Sequence, residues 1–248
     1  MRQLSLFFAI LLTCNLRSQE SIGVWRIGPG IGLAGNQCRL SGGDPTAHAQ
    51  FQRNNFGSGN FGITGRFDFT KRWMLSVGLG ITSYGFEYAL SAPYPAGGEK
   101  RFLKTSSSTA MLETPLMIHY KFNPNCRDRK WVLGLGLVQS MMGGSTGTGY
   151  LATGNESDPA RVYVKDNSTF RGGFYPMLRF SVGNEKVFRA GGILNISFVV
   201  NRGFSPVAVS KVEYRIDGTT YTHEYTNDGN FAGMRLVYFF RPWNPVTK

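Results

Sequence analysis

Apolar and polar residues alternate with a period of two in eight stretches of this chain, the pattern of strands with one apolar and one polar face. In NFGITGRFDF, Phe61, Ile63, Phe67 and Phe69 share one face and Asn60, Thr64, Arg66 and Asp68 the other. WMLSVGLGITSYGF sets Trp73, Leu75, Val77, Leu79 and Ile81 against Ser76, Gly78, Gly80, Thr82 and Tyr84. WVLGLGLVQS, FRGGFYPMLRFSV, VFRAGGILNISFVVN, FAGMRLVYFF and the opening IGVWRIGPGIGL follow the same plan. In LETPLMIHYKF, Leu112, Leu116, Ile118, Tyr120 and Phe122 oppose Glu113, Pro115, Met117, His119 and Lys121. Proline cannot donate to a strand ladder, so a bulge or local break is expected at Pro115.

The connections between these segments alternate in length. Long ones fall at 35–59, 91–104, 143–167 and 203–227, and short ones at 70–72, 123–129 and 183–186. Long loops on one side and short turns on the other are the connection pattern of outer-membrane barrels. Aromatic residues near the strand ends (Trp25, Trp73, Trp131, Tyr120, Tyr238, Phe240) suit interfacial girdles. The expected fold is an all-β, eight-stranded antiparallel up-and-down transmembrane β-barrel with a polar, filled lumen. Glycines on the polar faces (Gly28, Gly30, Gly32, Gly78, Gly80, Gly134, Gly136) are expected to make room there for arginines reaching across.

Composition agrees: 32 glycines among 248 residues, 14% aromatic and 17% charged, suit many strands joined by turns. The N-terminus, MRQLSLFFAILLTCNLRSQE, reads as a secretory signal over residues 1–18. Its apolar core is too short for a membrane helix, and no later stretch reaches the length of one. Cys14 offers a lipoprotein anchor as the alternative. Residues 19–240 form the barrel and 241–248 a short periplasmic tail. Losing Arg2 and Arg17 with the signal lowers the formal charge from +12 to about +10.

The expected lumen set is Arg26, Arg66, Asp68, Glu113, His119, Lys121, Arg171, Arg179, Arg189 and Arg235. Buried arginines need partners, and Glu113 and Asp68 are the evident counter-ions. The set reads as an ion-pair network holding the barrel together, with an anion path or a phosphate or carboxylate site as the second reading. GIGLAG at 30–35 matches a dinucleotide fingerprint letter for letter, but no helical pattern follows it, so no cofactor is expected. The three histidines lack metal-site spacing. His48 and His223 fall in long loops near Asp44 and Glu224, which permits an acid–histidine pair at the outer rim; ordinary surface residues are the plainer reading. Cys38 and Cys126 lie on opposite sides of the expected membrane, so no disulfide is expected between them.

LETPLMIHYKF, entering a short turn and followed by WVLGLGL, resembles the outer-membrane β-barrel proteins of the Bacteroidetes group often labelled PorT-like, whose fourth strand typically reads Leu-Glu-Ile-Pro-Leu-Leu. The likeness covers strand spacing along the mature chain, and its specific motif runs from Leu112 to Lys121. It implies an accessory role in type IX protein secretion. Read from its residues, the chain is a non-enzymatic barrel with a structural or partner-binding role, in contact with outer-membrane lipid and with envelope or secretion proteins, and with no nucleic acid. Small-solute passage and a membrane hydrolase are the remaining alternatives.

Overall fold

The computed structural model describes residues 22–43, 51–54, 56–92, 101–122, 129–153, 161–216 and 218–242. The signal segment, Cys14, Asp44, His48, Cys126 and most of the tail lie outside them. The described residues form twelve strands: β1 (Trp25–Gly43), β2 (Phe51–Asn54), β3 (Phe56–Asp68), β4 (Trp73–Ala92), β5 (Arg101–Phe122), β6 (Arg129–Met142), β7 (Ser145–Thr153), β8 (Val162–Phe170), β9 (Gly173–Val187), β10 (Ile193–Gly203), β11 (Ala208–Ile216) and β12 (Thr219–Phe239).

Eight of them close a ring in the order β1-β3-β4-β5-β6-β9-β10-β12, with β12 pairing back onto β1. Every pairing is antiparallel. These eight correspond to the eight alternating segments. Their apolar side chains point outward: Leu79 is 54% exposed and Leu137 58%, while Arg66 inside the ring is fully buried. Apolar outside and charged inside is the inverse of a water-soluble barrel and the arrangement of one that sits in hydrocarbon. The six girdle aromatics all lie along one rim, at the starts of β1, β4 and β6 and the ends of β5 and β12. Trp73 packs edge-on against Tyr120 there at 4.9 Å, and Tyr238 against Phe240 at 5.5 Å.

The ladder breaks beside Pro115. On the β4 side the register runs to Val77↔Leu116 and resumes only at Gly80↔Glu113, while on the β6 side Pro115 stays paired with Val138.

The long connections expected as loops are largely strand. β1 runs on to Gly43, β5 starts at Arg101, and β7, β8, β11 and the first half of β12 stand above the ring. Above the ring β12 pairs with β11, β11 with β8 and β8 with β7. Gly229, with φ of +77°, sits where β12 passes from pairing with β10 to pairing with β11. A left-handed residue there lets the strand change partner, which a side chain would resist.

Interior polarity inverts with height. On β4 the inward positions are Met74, Ser76 and Thr82 within the ring, then Tyr84, Phe86, Tyr88 and Leu90 above it, all buried. Above the ring these join Val162, Val164, Val212, Tyr214 and Phe170 in one apolar core. A second small cluster, Val187, Ile193, Val237 and Phe239, floors the ring at the opposite end. The lower tier is therefore apolar outside, and the upper tier is apolar inside, as a water-exposed domain is.

Candidate functional site: the charged interior of the ring

Between floor and roof the lumen holds two ion clusters. In the lower one, Asp68 at the end of β3 accepts from three cations. Arg66 donates twice, Nε to Oδ2 and Nη2 to Oδ1, each at 2.9 Å, Lys121 Nζ donates at 2.5 Å and Arg26 Nη1 at 3.1 Å. Arg66 also donates through Nη1 to Glu185 Oε1 at 2.6 Å, and its guanidinium stands 5.4 Å from the Phe239 ring. Asn195 Nδ2 adds a 3.3 Å bond to the same Glu185 oxygen. All the charged members are buried.

The upper cluster centres on Glu113. Arg179 Nη2 donates to its Oε2 at 2.6 Å and the Tyr84 hydroxyl to its Oε1 at 2.9 Å. Arg179 Nε reaches Asn201 Oδ1 at 2.7 Å, and the guanidinium lies 5.6 Å from the Phe231 ring. Between the clusters, His119 Nε2 shares a 2.8 Å hydrogen bond with Ser76 Oγ, and Arg235 Nη2 donates to Thr64 Oγ1 at 2.9 Å. These groups line a cavity of about 40 Å³, room for a few waters.

Eight of the ten expected lumen residues thus occupy the interior: Arg26, Arg66, Asp68, Glu113, His119, Lys121, Arg179 and Arg235. Two do not. Arg171 is exposed in the bend between β8 and β9, because the alternation assumed to run unbroken through FRGGFYPMLRF is interrupted at Gly172 and Gly173. Arg189 sits in the tight turn before β10, closed by Phe188 N to Gly192 O at 2.8 Å.

Glu185 belongs to the lower cluster although its sequence context suggests a short turn at 183–186: β9 continues to Val187 and keeps its alternation, so Ser181, Gly183 and Glu185 all face inward. Extending the period of two by three residues finds it. Lys130, opposite Glu185 across the β6–β9 ladder, is buried for the same reason.

The inward glycines serve neighbouring strands more than distant arginines. A Cβ at Gly134 would stand 2.4 Å from both the His119 ring and Ser181 Oγ, so this glycine gives the imidazole its place. Of the glycines read as making room for arginine, Gly30 and Gly32 do lie beside the Arg235 side chain.

In the upper tier His223 is buried rather than a surface loop residue. Its Nε2 lies 3.0 Å from the Tyr214 hydroxyl, and Phe51 stacks on Tyr214 at 4.3 Å. Glu224 is the next residue on the same strand, with its side chain on the opposite face near Ser41, so His223 and Glu224 do not converge. Cys38 is buried on β1, its thiol 3.8 Å from the Gly85 carbonyl. Asp166 is fully buried and accepts through Oδ1 from Ser168 Oγ at 2.8 Å and from Ser210 Oγ. Burial raises its pKa above the usual carboxylate value, and the two hydroxyls only partly offset this. GIGLAG lies wholly within β1. Among the described residues no three His, Cys, Asp or Glu side chains group as a metal site.

No family model matches the sequence, and no curated protein does. Among solved structures, the chain is similar to the outer membrane protein OprG from Pseudomonas aeruginosa, at 11% identity and a TM-score of 0.48, over 92% of this chain and all of that one. A weaker likeness is to OprB from Pseudomonas putida, at 10% identity and a TM-score of 0.18, over 88% of this chain and 93% of that one.

Proposed function

We propose that the protein is a non-enzymatic barrel of a bacterial outer membrane, with a structural or partner-binding role and a lumen that is closed to solutes. The outward apolar belt supports the membrane location. The observation that carries the closed-lumen reading is the stacking of the interior: an apolar floor, two ion clusters and an aromatic roof, with about 40 Å³ of free space between the clusters. Ion pairs between non-adjacent strands hold the barrel in shape, and it is the packed floor and roof that close the path, since buried cations outnumber buried carboxylates within the ring. The upper tier, projecting from the belt with a water-facing polar surface, is the natural contact surface for envelope partners.

Recording in planar bilayers tests this. The full chain should insert without producing conductance steps; regular unitary currents would replace the closed barrel with a channel. The likeness of Leu112–Lys121 to PorT-like strands supports a narrower reading, an accessory role in type IX secretion. Deletion should then reduce secreted cargo, and the barrel should co-purify with translocon components from gentle detergent.

A further inference from the structure

We infer that Arg235 and Arg179 hold a small monovalent anion, of the size of chloride, inside the ring as part of the folded barrel. The inference rests on the closed-lumen reading above and adds a ligand that stays within the wall rather than passing through it.

Arg235 is where the interior charge does not close. It sits on β12 with Ser197 of β10 and Gly32 of β1 as its cross-strand partners, so neither neighbour supplies a carboxylate. Its Nη2 donates to a neutral hydroxyl, Thr64 Oγ1 at 2.9 Å, and its Nε is buried with no hydrogen-bond partner. The lumen carboxylates are engaged elsewhere. Asp68 and Glu185 belong to the lower cluster, and Glu113 receives Arg179 on one oxygen and Tyr84 on the other. Among the described residues Arg235 therefore belongs to no ion pair. A guanidinium buried without a counter-ion is costly, and one bound anion offsets that cost.

The cavity beside it has the matching chemistry. Arg235, Arg179 and His119 line it together with Ser181, Ser197 and Asn195, and among the described residues no carboxylate does. Arg179 uses Nε on Asn201 and Nη2 on Glu113, which leaves Nη1 as a donor. His119 adds a buried Nδ1 with no hydrogen-bond partner. When its Nε2 accepts the Ser76 hydroxyl, Nδ1 carries the ring proton and is a donor as well. A volume of about 40 Å³ is room for about three waters. That suits a halide with a water and is too tight for a hydrated phosphate. The apolar floor and the aromatic roof shut the ion in.

The test unfolds the full chain in micelles with urea, in sodium chloride against sodium gluconate at equal ionic strength. Gluconate is too large for the cavity. Above its dissociation constant, each tenfold rise in chloride should multiply the wild-type folded-to-unfolded ratio about tenfold. Arg235→Met should lose this dependence. It should also match or exceed wild type in gluconate, because it removes a buried charge that has no counter-ion there. Crystals grown in bromide give a readout that does not need the variant to fold: anomalous scattering should place one bromide between Arg235 and Arg179. Equal wild-type stability in the two salts, the same chloride dependence in Arg235→Met, or a lumen without bromide would each overturn the site. So would bromide at the site with no halide effect on stability, which marks an adventitious ion only. Unitary currents in bilayers are a separate result: they sink the closed lumen, and the halide measurements still decide the site.

Discussion

Arg66 and Glu185 meet at 2.6 Å from strands that stand four places apart in a ring of eight, so the pair bridges the barrel across its full width. A contact of this kind ties opposite walls together, which hydrogen bonds between neighbouring strands cannot do.

Removing Glu185 should therefore loosen the ring. Glu185→Leu strands part of a buried guanidinium, and losing one partner of a buried pair costs about 3–5 kcal/mol. The lower end applies, because Asp68 still holds the other side of Arg66. Urea unfolding of the refolded barrel in micelles measures the loss. A midpoint equal to wild type would mean that the bridge contributes nothing.

Glu113→Gln keeps the side-chain shape and removes the charge facing Arg179. Tyr84 can still donate to the amide oxygen, so the expected cost is about 2–3 kcal/mol. Bilayer recordings of the variant should stay silent, because the change weakens a structural pair. Appearance of anion current with unchanged stability would favour an anion path instead.

Asp166 should make the upper tier sensitive to pH. Its folded pKa lies above the ordinary carboxylate value of 3.8, because the group is buried. The unfolded chain therefore releases the proton first, and stability present below pH ~3.8 falls as pH rises through the folded pKa. Asp166→Asn should be more stable than wild type at neutral pH and indistinguishable from it at pH ~3. Hydrogen exchange at the β8 and β11 amides, compared at both values, checks the sign. Equal protection in the two proteins at neutral pH would show that the carboxylate is not penalised.

Tyr214 anchors the roof between Phe51 at 4.3 Å and Tyr221 at 5.2 Å. Tyr214→Ala should cost about 3–5 kcal/mol, as other large aromatic truncations in cores do. The loss should be local. Protease should cut β8 and β11 first while the ring remains protected, and simultaneous loss of both tiers would show that they unfold as one unit.

Much of the ring was legible from the residues. Alternation over eight segments, the short turns and the aromatics at strand ends each follow from local chemistry, and Pro115 marks its own break because it has no amide hydrogen. Asp68, Glu113, Arg26, Arg66, Lys121 and Arg179 lie on the polar face of strands long enough to identify. The upper tier was hidden for a definite reason. VYVKDNSTF alternates as cleanly as any ring strand, but it is more polar and shorter, and most of it falls in the span 143–167 expected as a loop.

The sequence by itself determined which residues share a face, because a strand's side chains alternate whatever surrounds it. Only the tertiary structure decided which face is inside. On β4 the outward Leu79 and the inward Phe86 are both apolar, one facing the surroundings of the belt and the other the core beneath the roof. The medium around the strand changes along its length, and with it the side on which burial is favourable. Partnership across the ring was decided there too: the Arg66–Glu185 contact joins residues 119 apart in the chain, and only closure of the sheet brings them to the same point.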